Sequence, residues 1–99
     1  MLLVAGPVAV PPEHHAELLA ATRRVVASTL TEPGCLRYGF WADPERAGRL
    51  LVFEEWESEA DLEAHLQAPH LKEFQAELGR LGLLESAVRR YRVEAVRPR

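Results

Sequence analysis

Apolar positions along this chain follow two periods, and the alternation between them sets the order of elements. Leu2 to Val10 is a mostly apolar run closed by Pro11-Pro12, which predicts a first strand. Pro7 lies inside it and cannot donate to a ladder, so a bulge or an unpaired position is expected there. Pro11-Pro12-Glu13 is a good helix opening, because proline is tolerated in the first turn and an acid suits the positive end of the helix dipole. Leu18, Thr22, Val25 and Thr29 then recur at helical spacing, with Leu19 and Val26 widening the face. This predicts a helix to about Leu30, stopped by Glu32-Pro33-Gly34.

Cys35 to Asp43 and Arg49 to Glu57 read as strands two and three, joined by the polar Asp43-Pro44-Glu45-Arg46-Ala47-Gly48 as a hairpin. Leu50-Leu51-Val52-Phe53 is apolar at consecutive positions, so both faces of strand three require cover. Ser58-Glu59-Ala60-Asp61 matches a capping box, with Ser58 as N-cap and Asp61 reaching back. The second helix starts there and breaks near Ala68-Pro69. A third begins at Pro69, carries Leu71, Phe74, Leu78 and Leu81 on one side, and is ended by Gly79 and Gly82. Ala87 to Val96 alternates as a last strand.

The order is β-α-β-β-α-β with its second helix split. Right-handed crossovers on a four-stranded antiparallel sheet then give an α+β, ferredoxin-like arrangement with both helices on one face. The other, partly apolar face is left for a second copy to bury.

Composition narrows the picture further. Ninety-nine residues fit a single domain over 1–99, small enough that dimerisation is a natural source of added stability. The net charge of −3 argues against a nucleic-acid partner, which needs a basic face. Cys35 is the only cysteine, so no internal disulfide or thiolate metal cluster is expected, and a small apolar strand residue is its simplest role. Met1 to Val10 lacks a basic leader and is too short to span a bilayer, which makes the cytoplasm the expected location and a membrane an unexpected partner. Arg outnumbers Lys eleven to one, and Asn and Ile are absent, as a GC-rich genome would give.

Particular residues carry a resemblance. Glu32-Pro33-Gly34-Cys35-Leu36-Arg37-Tyr38, then Phe53-Glu54-Glu55-Trp56-Glu57-Ser58, then Ala64-His65-Leu66 and Pro69-His70-Leu71 together resemble the antibiotic biosynthesis monooxygenase family, in order and spacing over nearly the whole chain. That resemblance implies a dimeric α+β barrel in which two sheets pack face to face, covering strand three. It also implies activities ranging from cofactor-free oxidation of quinols and aromatic polyketides to haem degradation and isomerisation of a sugar phosphate, so fold alone does not fix the reaction. The haem branch uses an asparagine in strand one, a tryptophan in helix two and an axial histidine. Here the chain has no asparagine, His65 stands where the tryptophan would be, and Gln75 falls near the axial position.

The candidate chemistry centres on His65. It lies near Leu62 and Leu66, so a structural core histidine is one reading and a general base the other. Asp61, four residues earlier, is the expected partner for its ring, in competition with the capping box. Trp56 shares a strand face with Leu50, Val52 and Glu54, either as a core indole or as a pocket wall against a flat substrate. Tyr38 and Phe40 share one face of strand two; Tyr38 is placed in the pocket on its motif position. His70 follows Pro69 as a further polar group at the pocket mouth, and Glu54 completes the substrate-binding set. His14 and His15 diverge on helix one and are expected at the surface. His65, His70 and Glu54 would form only an irregular ligand set, so no metal is expected.

No dinucleotide fingerprint, P-loop or nucleophile elbow is present. No cofactor is therefore expected, and the substrate must carry the difficult chemistry. The reading is a cofactor-independent monooxygenase acting on a small hydroxyaromatic or quinol with O2, in a homodimer, with His65 as base. The alternatives are an isomerase of a small phosphorylated carbonyl compound, with Arg37 or Arg49 for the phosphate, and a non-enzymatic dimeric small-molecule binder.

Overall fold

The computed structural model describes residues 1–99 as an antiparallel sheet with three helices on one face. The elements are β1 (Leu2–Ala9), α1 (His15–Thr29), β2 (Cys35–Ala42), β3 (Arg49–Trp56), α2 (Glu59–Gln67), α3 (Pro69–Leu81), β4 (Glu85–Ser86) and β5 (Arg89–Arg92). A 3-10 turn over Pro12–His14 precedes α1. The sheet runs β2-β3-β1, and both β4 and β5 pair with the outer edge of β1. This is the ferredoxin-like α+β fold that the element order predicts.

Burial follows the strand period. Leu2 and Val4 of β1, and Leu50, Val52, Glu54 and Trp56 of β3, face the helices and are buried. Leu18, Ala21, Thr22, Val25 and Thr29 of α1 and Leu71, Phe74, Leu78 and Leu81 of α3 meet them. Tyr38 points to the same side, which settles the face of β2. Trp41, Leu51 and Tyr91, about half exposed, lie on the open face.

The last strand differs from the sequence expectation in two ways. It is broken between Ser86 and Arg89, opposite Gly6 and Pro7, although the pairing register with β1 is the same on both sides. The Pro7 carbonyl still accepts the Ala87 N–H at 3.0 Å, but Pro7 has no N–H to return to that strand. Gly6 allows a close approach there, since a Cβ would sit 2.2 Å from the Ala87 carbonyl oxygen. The strand also stops at Arg92 rather than Val96, because β1 has run out: the Val93 N–H pairs with Met1. Gly79 lies inside α3 and only Gly82, in a left-handed conformation, ends it.

Candidate functional site

The site is built where the C-terminal end of β3 meets the broken second helix. Ser58 caps α2 through its Oγ, which accepts the Asp61 N–H at 3.2 Å. The Asp61 carboxylate takes the Ser58 hydroxyl at 2.9 Å instead of reaching to His65. That corrects the expected partner of the histidine ring. Ala68 adopts an extended conformation before Pro69, as residues preceding proline do, and the chain restarts as α3. On one continuous helix residues five apart would diverge. The break brings the rings of His65 and His70 to centroids 6.0 Å apart.

Both histidines converge on Glu32, a residue that sequence reasoning took as part of a helix stop and of the family-like stretch but gave no chemical role. His65 Nδ1 lies 2.6 Å from Glu32 Oε2 and His70 Nε2 lies 3.0 Å from the same oxygen. A carboxylate has only acceptors, so both rings donate and His65 is left with Nε2 free. Glu32 reaches this point through a tight exit from α1. Its N–H bonds the Thr29 carbonyl at 2.9 Å, and Gly34, at φ +79°, turns the chain into β2. The Gly34 carbonyl accepts the Glu57 N–H at 2.9 Å, tying the turn to the end of β3. The signal open to sequence reasoning was a glutamate at a Pro-Gly turn next to the strand that carries Tyr38.

Aromatic rings enclose His65. Trp56, fully buried, packs against it with centroids 4.8 Å apart, and Tyr38 meets it edge-on at 5.2 Å. The indole N–H of Trp56 donates to Glu54 Oε1 at 2.9 Å. The five residues singled out from sequence, His65, Trp56, Tyr38, His70 and Glu54, thus form one connected cluster. Trp56 and His65 fill the space between sheet and helix with their own rings. A cleft of about 370 Å³ opens between α1 and α3, edged by His70, Arg24, Ser28, Glu73 and Arg80.

Burial sets the electrostatics. Desolvation lowers the His65 pKa, and it outweighs the opposing pull of Glu32. Glu54 is pushed up to about 7 by burial, against the stabilising Trp56 bond. Burial also raises the Tyr38 phenol far above its usual range and Cys35 to about 11, which leaves that thiol unreactive. The site therefore offers a neutral imidazole and a carboxyl group that titrates near neutrality. Glu32, His65 and His70 place one donor atom each within 4.8 Å of one another, a set of different membership from the Glu54 trio considered from sequence.

Three other residues are reassigned. His15 is not simply a surface group: its Nδ1 accepts the Gly48 N–H at 2.8 Å and anchors the β2–β3 hairpin. Arg49 pairs with Asp43 and Glu85 at the opposite end of β3 from Trp56. Arg37 pairs with Glu55 at 3.0 Å, on the open face of the sheet.

A ferredoxin-like α+β protein with a buried histidine–carboxylate pair walled by aromatic rings is the class these features define. The family model for antibiotic biosynthesis monooxygenases matches residues 1–77, and the chain belongs to that family. Among curated proteins it is 34% identical over 73 residues to Escherichia coli YgiN, named as a probable quinol monooxygenase, covering 65% of this chain and 70% of that one. It is equally similar over 73 residues to the uncharacterised sll1783 of Synechocystis, covering 74% of this chain. The chain spans half the length of that relative. Among solved structures, a Deinococcus radiodurans protein proposed to be an antibiotic biosynthesis monooxygenase superposes with a TM-score of 0.91. It is 25% identical, with coverage of 100% of this chain and 99% of that one. A conserved Methanosarcina mazei protein gives 0.84 at 30% identity, covering 92% and 90%.

Proposed function

We propose that this protein is a cofactor-independent monooxygenase that oxidises a small hydroxyaromatic or quinol with O2, with His65 as general base. The observation that carries the reading is the Glu32–His65 pair: Nδ1 is held by a carboxylate, so the free Nε2 is the proton acceptor, within a wall formed by Trp56 and Tyr38. This is the arrangement by which a carboxylate fixes the tautomer and orientation of a catalytic imidazole and stabilises its cation. His70 and Glu54 complete the substrate-binding set, and the α1–α3 cleft ending at His70 is the substrate's approach.

The reaction balances without an external reductant. His65 takes the proton of a substrate hydroxyl, and the electron-rich oxyanion passes one electron to O2. The radical pair combines to form a C–O bond, giving a peroxide on a ring carbon. Loss of the proton on that carbon and cleavage of the O–O bond release water and leave a carbonyl, so a quinol and O2 become a hydroxyquinone and H2O. The protein supplies orientation, a dry surrounding and the base. Arg37 and Arg49, the two cations considered for a phosphate, are paired away from the cluster, so an isomerase would have to use Arg24 and Arg80 at the edge of the α1–α3 cleft.

The same proposal includes a cytoplasmic homodimer joined through the open sheet face. Trp41, Leu51 and Tyr91 expose apolar surface there, and a second copy would cover it. No helix is long and apolar enough to cross a membrane. The test of function is oxygen uptake with a panel of quinols and labelled O2, in the presence of a chelator. One labelled oxygen atom in the product and one in water is the expected result. Ligand-stabilised melting without turnover would indicate a binder instead.

A further inference from the structure

Glu32, His65 and His70 come from the α1–β2 turn, the end of α2 and the start of α3, yet they present three donor atoms within 4.8 Å of one another. We propose that these three side chains bind a divalent transition-metal ion, and that occupying the site switches the base off. Two imidazoles and a carboxylate suit zinc and its borderline neighbours rather than magnesium or calcium, which prefer oxygen alone. Two ligands about 2.1 Å from one ion, at octahedral or tetrahedral angles, stand about 3.0–3.4 Å apart. The present separations of 2.6 and 3.0 Å from Glu32 Oε2 need widen by less than an ångström, and the two imidazole donors, within 4.8 Å of each other, close the remaining gap by rotation of the half-buried His70 ring. Half-buried His70 edges the α1–α3 cleft, which supplies a route in for the ion and a water molecule for the remaining position.

The inhibitory sign follows from proton positions. An ion at the site replaces the two hydrogen bonds to Glu32, and each neutral ring keeps its proton by moving it to the other nitrogen. His65 would then bind metal through Nδ1 and carry its hydrogen on Nε2. In that form it has no lone pair for a substrate proton. Metal binding and base function are therefore exclusive at one side chain, and no electron transfer is involved.

This inference rests on the base role of His65 for its functional half and on geometry alone for its binding half. Chelator-stripped protein is titrated with Zn2+ by calorimetry and with Co2+ by visible absorption. One ion per chain is expected, with a cobalt spectrum of four or five coordination. Glu32→Gln and His70→Ala, each confirmed folded by circular dichroism, should bind at least roughly tenfold more weakly. His14→Ala, on a distant histidine, should bind like wild type. Absence of binding, or binding unchanged in both site variants, would overturn the proposal. Zinc that binds at the trio without slowing quinol oxygenation would overturn its inhibitory half. Zinc binding in a protein with no oxygenase activity would sustain the metal site and refute the oxygenase reading, while oxygenation without zinc binding would do the reverse.

Discussion

His65 is the residue on which the proposed chemistry turns, and its partner was hidden from the sequence. Asp61 is four positions away on the same helix, but the end of a local cap holds it. Glu32 is 33 positions away and is delivered by a turn. Which distant carboxylate meets a buried histidine depends on how three elements cross, and no local pattern encodes that. Trp56 and His65 were more legible, because strand alternation and the Ser58 cap turn both toward the core, whereas alternation left the face of strand two open and Tyr38 was placed only on its motif position. Glu54 gives a prediction at this scale. Burial raises its pKa from 4.5 to about 7, so the folded state holds a proton that the unfolded chain gives up between those values. Its contribution to stability is fully present below about pH 4.5 and is lost as pH rises through 7. The linked loss is roughly 3 kcal/mol. Glu54→Gln keeps an acceptor for the Trp56 N–H and removes the titration. The variant should melt several degrees above wild type at pH 8, with the gap closing at pH 4.5, as read by calorimetry. A gap that is constant with pH would mean that Glu54 titrates normally.

The helices and first three strands form nearly where hydrophobic periodicity places them, since their apolar stripes are long and punctuated by proline, glycine and a serine cap. The last strand was less legible because its limits are set by its partner: Pro7 withholds one donor and β1 ends at Met1. The turn after α1 is the element that links fold to site. Gly34 sits at φ +79°, and a Cβ there would lie 2.1 Å from Asp61 Oδ2 and 2.7 Å from Asp61 Cβ. Gly34→Ala should therefore cost about 1–3 kcal/mol, measured by urea unfolding. It should also displace Glu32, moving the His65 ring signals in an NMR spectrum. A stable variant with unshifted His65 signals would show that the turn does not position the carboxylate.

One face of the whole molecule is finished and the other is not. Helices cover Leu50, Val52 and Trp56, while Leu51 and Trp41 stand about half exposed on the open side of the sheet. The proposed sheet-to-sheet dimer would account for that asymmetry, and sedimentation should then show a dimer at micromolar concentration. Leu51→Arg places a charge in the apolar face and should shift the equilibrium toward monomer with helix content unchanged. A wild-type monomer at that concentration would refute the dimer. The face itself was legible from four consecutive apolar residues in strand three, whereas the close packing of the Trp56 and His65 rings, centroids 4.8 Å apart, was not, because ring packing is decided by side-chain fit. The central claim is that His65, held by Glu32, removes the substrate proton. The most direct test is oxygen consumption by folded His65→Ala beside wild type, on a quinol the wild type turns over. Loss of roughly a hundredfold or more in kcat is expected, the scale for removing a general base; turnover at the wild-type rate would contradict the account.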